Sequence, residues 1–219
     1  MQLEAILFDL DGTLADTDPV HLQVFAELLK PLGYEVDDEF FRKHISGARN
    51  EILFRKFFPD YSAEEIIAAG EAKEALFRDK ACHVQPVDGL GHILQWAAEK
   101  QLRLALVTNA PRSNVSFMLS SLGLEDTFEI MVMAEDVTEG KPNPAPYLLA
   151  LEKLGISADR SIVFEDSLTG IRSAKGAGLR VYGMMTTLSV DKLHEAGADV
   201  AIEDYNDDRL WEELNRRTA

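Results

Sequence analysis

Cysteine is almost absent. Cys82 is the only one in 219 residues, so the chain can close no internal disulfide and can build no cysteine-based zinc cluster. Long apolar runs are absent too, since none approaches the ~20 residues that a membrane-spanning helix requires. Positive charge is scarce: 22 Lys and Arg stand against 38 Asp and Glu, a net charge of −16. That balance argues against nucleic acid and anionic membrane surfaces as partners, because both demand basic patches. A small phosphorylated molecule stays open, since one lysine, a metal ion and backbone N–H groups can hold it inside an acidic protein. Two glycine patterns, G-x-x-x-x-G-K-[ST] and G-x-G-x-x-G, are also absent, which excludes a P-loop nucleotidase and a dinucleotide-binding oxidoreductase. No basic stretch precedes the first apolar run. That run is therefore expected to be a strand rather than an export signal, and the protein cytoplasmic.

What is present begins with Ile6-Leu7-Phe8-Asp9-Leu10-Asp11-Gly12. An apolar run of strand length ends in two carboxylates one residue apart. Residues i and i+2 of an extended chain point to the same side, so Asp9 and Asp11 can converge past the strand end. Two carboxylates that close repel unless a cation or a shared proton compensates, and a hard oxygen-seeking ion such as Mg²⁺ is the simplest compensation. A calcium loop is excluded by register: counted from Asp9, the sixth position is Leu14 and the twelfth is Val20. Aspartates beside glycine are also common in turns, and it is the strand pattern before the pair that favours a site.

The chain then divides by texture. Strand 4–8 is followed by a turn-rich connector, and Asp18-Pro19 predicts a helix start with Asp18 as N-cap. Phe25, Leu28, Leu29 and Leu32 continue at helical spacing until Pro31 and Gly33. Short helices are expected near 38–44 and 49–58, and Ser62 with Glu65 makes a capping box for a helix reaching Lys80. Residues 16–85 are thus expected to form a four-helix insert. After Pro86, strands at 102–107, 129–133, 161–164, 180–184 and 198–202 alternate with helices. Alternation of this kind predicts α/β architecture, a doubly wound parallel sheet built from 1–15 and 86–219.

Ligands of open α/β sheets bind beyond the carboxyl ends of the strands. Four polar clusters fall there: Asp9/Asp11, Thr108-Asn109, Lys141, and Glu165-Asp166. Singly, each also reads as a cap, a loop charge or a charged turn. Together, carboxylates for Mg²⁺, a hydroxyl and an amide for phosphoryl oxygens, and an ammonium to neutralise charge are what phosphoryl transfer needs.

With these four clusters in order, the chain resembles the haloacid dehalogenase-like (HAD) superfamily: Asp9-Leu10-Asp11-Gly12-Thr13, Thr108-Asn109, Lys141-Pro142, and Glu165-Asp166-Ser167-Leu168-Thr169-Gly170-Ile171. The helical insert is similar to the small cap of the beta-phosphoglucomutase-like branch. Val107-Thr108-Asn109-Ala110-Pro111, Ile45-Ser46-Gly47 and the tail from Asp204-Tyr205 to Leu210-Trp211 look like its broad-range sugar-phosphate phosphatases.

The resemblance implies a phosphatase for small sugar or polyol phosphates, with a phosphomutase as the alternative. The mutase-like caps carry Lys-Gly where this chain has Ser46-Gly47, which weighs against that alternative. In this scheme Asp9 is the nucleophile and Asp11 the acid and base. Mg²⁺ is held by Asp9, Asp166 and the Asp11 carbonyl, with Glu165 near it. Thr108 and Lys141 hold the phosphoryl oxygens, and Lys141 also pairs with Asp9. Asp11 sets this chemistry apart, since dehalogenases and phosphonate-cleaving members carry another residue there.

The cap would close over the site. Its loop Ser46-Gly47-Ala48-Arg49-Asn50 suits sugar hydroxyls, and Arg49 suits a second anionic group, with a solvated helix-start charge as the other description of it. His21 is expected either to face the cleft or to pack between helices. His44, His83, His92 and His194 read as surface residues, Cys82 as a linker or buried thiol, and Lys175 as structural. A monomer, or at most a weak dimer, is expected.

Overall fold

The computed structural model describes residues 2–81 and 84–218. The readings made above for Cys82 and His83 fall outside those residues.

Six strands form one parallel sheet in the order β3-β2-β1-β4-β5-β6. They are β1 Ala5–Phe8, β2 Arg103–Val107, β3 Ile130–Val132, β4 Ser161–Glu165, β5 Arg180–Met184 and β6 Val200–Ile202. β1 lies in the middle, pairing Phe8 with Leu106 on one side and with Phe164 on the other. Every residue of β1 is buried. Its alternation explains why: Ile6 and Phe8 join one apolar cluster and Ala5 and Leu7 another, so the strand is covered on both faces.

The helices from Leu90 onward divide between those faces. α5 Leu90–Glu99, α6 Arg112–Leu122 and α10 Asp208–Thr218 pack with Phe8 and Ile6, while α7 Ala145–Leu154, α8 Leu168–Gly176 and α9 Val190–Ala196 pack with Leu7 and Ala5. Phe8 stacks on Phe164 at 5.3 Å, and Tyr205 meets Phe164 edge-on at 5.0 Å. The Tyr205 hydroxyl donates to the Thr13 carbonyl at 3.0 Å, which ties the C-terminal segment to the turn after β1.

Between β1 and α5 the regular elements are helical: α1 Asp18–Leu29, α2 Asp38–His44, α3 Asn50–Phe57 and α4 Ala63–Lys80. This segment has an apolar centre of its own, made by Phe25, Leu29, Phe41, Ile45, Leu53 and Phe57. The Ser62/Glu65 capping box forms, with Ser62 N–H donating to Glu65 at 2.8 Å and Glu65 N–H to Ser62 at 3.2 Å.

One expected cap is different. Thr17, not Asp18, is the N-cap of α1, and it makes no side-chain cap bond. Its hydroxyl instead donates to Asp11 Oδ1 at 2.7 Å, and Asp18 becomes the first helical residue with its carboxylate on the wall of a cavity. No helix among the described residues is long and apolar enough to cross a membrane.

Candidate active site

The carboxyl ends of β1, β2 and β4 meet where the chain order reverses around β1, the position at which open α/β sheets bind ligands. Asp9 follows β1 directly, and its N–H donates to Phe164 at 3.1 Å, which extends the β1–β4 ladder by one step. Oxygens of Asp9, Glu165 and Asp166, all three buried, lie within 4.8 Å of one another. The first and fourth clusters of the sequence therefore converge.

Lys141 reaches the same point from the loop before α7. Its ammonium lies 2.5 Å from Asp9 Oδ1, 2.5 Å from Glu165 Oε1 and 2.7 Å from the Val107 carbonyl. An ammonium has three N–H groups, and all three are occupied. One positive charge cannot compensate three buried carboxylates. Burial, with the charges of Glu165 and Asp11, pushes the Asp9 carboxyl up to about 8 despite Lys141. Burial with the charges of Asp9 and Glu165 holds Asp166 well above the usual carboxylate range. Burial works against the Lys141 ammonium, but Asp9 and Glu165 outweigh it and hold its pKa above the usual lysine value.

Surplus negative charge on hard oxygen donors, desolvated and converging, is the chemistry a divalent cation satisfies, so these residues fit one. Glu165 is the most constrained of the three. It accepts from Lys141, from the Tyr147 hydroxyl at 2.7 Å and from Ser167, and its carboxylate leaves no room for a side chain at Gly170. Asp166 accepts from the Thr187 hydroxyl at 2.5 Å.

Asp11 behaves in the opposite way. Its side chain turns toward the helical segment, accepting from Thr17 at 2.7 Å and lying 3.5 Å from His21 Nε2. Burial alone would raise its pKa, but His21, Thr17 and Lys73 together lower it. Two aspartates one residue apart are thereby driven in opposite directions, an arrangement that separates the roles of paired carboxylates. His21 takes the cleft position, with its ring stacked on Phe77 at 4.2 Å.

Asp9, Asp11, His21, Lys141 and Asp166 line a cavity of about 100 Å³ together with Ser46, Gly47, Thr108, Asn109, Ser167 and residues of α3 and α4. Thr108 is buried, and its hydroxyl caps the turn after β2 by accepting from Ala110 N–H at 3.0 Å. The Gly47 carbonyl accepts from Asn109 Nδ2 and from the Thr169 hydroxyl, each at 3.1 Å. Gly47 has φ +72°, and an added Cβ would collide with the Thr169 hydroxyl, so only glycine lets the backbone approach this closely.

Two expected contacts are not made. Arg49 does not line the cavity. Its guanidinium donates to the carbonyls of Ala134 at 2.8 Å and Thr138 at 3.3 Å. Asn109 lines it, but its amide is spent on main chain: Nδ2 on Gly47 and Lys141, Oδ1 on the Lys141 N–H at 3.0 Å. It brackets the lysine loop against the helical segment instead of offering a free amide.

Polar residues of the site absent from the expectations drawn from the sequence are Thr17, Asp18, Lys73, Glu74, Asn114, Tyr147 and Thr187. Lys73 had a signal. Ile66, Gly70, Lys73 and Phe77 share one buried face of α4, so Lys73 is a charge in the middle of an apolar stripe. Of the residues read as structural or surface, Lys175 pairs with Asp199 at 2.9 Å, His92 stacks on Trp211 and His194 faces the Ala198 carbonyl.

The family model described as haloacid dehalogenase-like hydrolase matches residues 6–184. A phosphorylated carbohydrates phosphatase of Thermotoga maritima is 33% identical over 202 residues, covering 90% of this chain and 92% of that one. A validoxylamine A 7'-phosphate phosphatase of Streptomyces hygroscopicus subsp. limoneus is 33% identical over 205 residues, covering 93% and 94%. Among solved structures, a family IA, variant 3 HAD hydrolase of Entamoeba histolytica superposes with a TM-score of 0.87 at 28% identity, covering 99% of this chain and 100% of that one. A strand end bearing converging carboxylates at the centre of a doubly wound sheet, a family match across most of the chain, and phosphatases as full-length relatives agree: the chain belongs to the haloacid dehalogenase-like hydrolases.

Proposed function

We propose that this protein is a Mg²⁺-dependent phosphatase acting on small sugar or polyol phosphates, with residues 16–85 as a cap over the site. The observation that carries the reading is the contrast between Asp9 and Asp11. Asp9 sits beside one shared ammonium and two further carboxylates, while Asp11 is held apart by Thr17 and His21. The substrate class follows the relatives named for phosphorylated carbohydrates and validoxylamine A 7'-phosphate, and the polar Ser46-Gly47 wall agrees with it.

Asp9 and Asp166 would hold the cation with the Asp11 carbonyl, and Glu165, braced by Tyr147 and Lys141, would stand behind them. When bound, the cation supplies charge compensation between Asp9 and an incoming phosphoryl group. An Asp9 oxygen attacks phosphorus, and the bond from phosphorus to the ester oxygen breaks. Asp11 gives its proton to the leaving alkoxide. An anionic phosphoryl group beside Asp11 raises its proton affinity, which loads it for this step. Water then attacks the phosphorus of the aspartyl-phosphate, Asp11 takes the proton, and phosphate leaves with Asp9 regenerated. The Gly47 latch to Asn109 and Thr169 holds the cap down and keeps bulk water out during both halves.

The test is phosphate release from p-nitrophenyl phosphate with Mg²⁺. Activity should disappear in EDTA and in Asp9→Asn; turnover by Asp9→Asn at the wild-type rate overturns the nucleophile assignment.

A further inference from the structure

The cap side of the cavity is walled by a buried carboxylate that phosphoryl transfer does not use. Glu74 of α4 is 5% exposed and is held from three sides. Lys73 Nζ donates to Oε1 at 3.0 Å, Asn50 of α3 donates to the same oxygen, and Asn114 of α6 donates to Oε2. Asn114 is itself fixed by Arg78, which donates to its Oδ1 at 2.7 Å. Residues of the cap and of the core thus hold one acidic group in place across the closed interface.

The lysines and arginines near the cavity all have partners. Among the described residues, Lys73 and Lys141 are the lysines or arginines on its wall. Lys141 spends its three N–H groups on Asp9, Glu165 and Val107, and Lys73 pairs with Glu74. Arg49 is turned to main-chain carbonyls and Arg78 to Asn114. A second anionic group on the substrate would arrive beside Glu74, on a wall where Asp9, Asp11, Asp18, Glu74 and Asp166 face only the ammoniums of Lys73 and Lys141. A hydroxyl would fit there, since it can donate to the carboxylate and accept from Lys73 or Asn50.

We infer that Glu74 makes the site selective for phosphomonoesters whose other end is neutral and hydroxylated, and that it rejects esters carrying a second negative charge. The inference rests on the phosphatase reading and narrows it. Selection works by repulsion as much as by attraction, with Glu74 acting as a specificity residue outside the bond-breaking steps.

Glycerol 3-phosphate and 3-phosphoglycerate test it, since they differ only in a CH₂OH where the other has a carboxylate. For the wild type with Mg²⁺, kcat/KM for the first should exceed that for the second by about 100-fold or more, the scale on which unpaired buried polar groups discriminate. Glu74→Gln should reduce the preference to about 10-fold or less, chiefly by improving the acid. Lys73→Met, which leaves Glu74 without its ammonium, should steepen the preference, and it serves if Glu74→Gln does not fold. A wild-type ratio near one, with p-nitrophenyl phosphate still hydrolysed, overturns this inference and leaves the phosphatase reading standing. The same holds for a ratio that neither variant moves. Failure to hydrolyse any of the three esters overturns both.

Discussion

Lys141 serves Asp9 and Glu165 with a single ammonium, 2.5 Å from an oxygen of each. Asp9 is the residue that would react, and Glu165 is the fully buried residue behind it, fixed by the Tyr147 hydroxyl. The lysine therefore joins the reacting carboxylate to a rigid part of the core, and its removal exposes two charges to one another rather than one.

Lys141→Met should accordingly cost stability as well as activity. Breaking a buried ion pair from one side typically costs ~3–5 kcal/mol. Chemical denaturation in EDTA should show a loss on that order. Saturating Mg²⁺ should restore part of the stability, since a ligand that binds only the folded state adds to it. Turnover of p-nitrophenyl phosphate should remain at least about 100-fold below wild type even with Mg²⁺. A variant as stable as wild type without metal would show that the pair carries no such weight.

Metal-free protein should lose stability as pH rises. Burial puts Asp9 at about 8 and Asp18 at about 6, whereas both titrate near 4 when unfolded. Between those values the folded state binds more protons than the unfolded state, so the stability slope is negative. In EDTA, Tm should fall from pH 5 to pH 8, and Mg²⁺ should flatten the slope by replacing those protons. Asp18→Asn should gain at most about 3 kcal/mol at pH 7–8 in EDTA, and the gain should vanish near pH 4. A Tm that rises with pH in EDTA contradicts this account.

Gly47→Ala should weaken the latch between cap and core. The residue has φ +72°, where a side chain costs ~1–2 kcal/mol, and the new methyl would meet the Thr169 hydroxyl. KM for a sugar phosphate should rise about 10-fold or more while overall stability falls by no more than ~2 kcal/mol. Unchanged kinetics would mean that closure does not pass through the Gly47 carbonyl.

Much of this was legible in the sequence, for a physical reason. A strand buried on both faces must be apolar throughout, so the end of Ile6-Leu7-Phe8 marks where polar chemistry can begin, and Asp9 stands there. The same rule places Glu165 and Asp166 at the end of β4 and Thr108 after β2. Ser62 and Glu65 bond within one turn, so their capping box is a local fact that needs no tertiary knowledge.

The rest depended on contacts far apart in sequence. Asp18 looks like a cap because Asp-Pro is a helix-start signal, but Thr17 occupies the capping position and bonds to Asp11. Tyr147 sits on a helix whose apolar face is ordinary core, and only the arrival of Glu165 gives its hydroxyl a partner. Arg49 lies in the cavity loop in sequence, yet its guanidinium is drawn to the carbonyls of Ala134 and Thr138, far along the chain. Glu74 gave no such signal as Lys73 did: adjacent helix positions do not ordinarily face each other, and only the closing of Asn50 and Asn114 around the pair shows its place.

Everything above turns on Asp9 taking the phosphoryl group. Rapid acid quenching of the enzyme during turnover of a sugar phosphate with Mg²⁺, followed by peptide mass spectrometry, measures this directly. One phosphoryl group should be found on the peptide containing Asp9, labile to hydroxylamine and absent in Asp9→Asn. A phosphoryl group on any other residue, or full turnover with no labelled peptide at any quench time, would contradict the account.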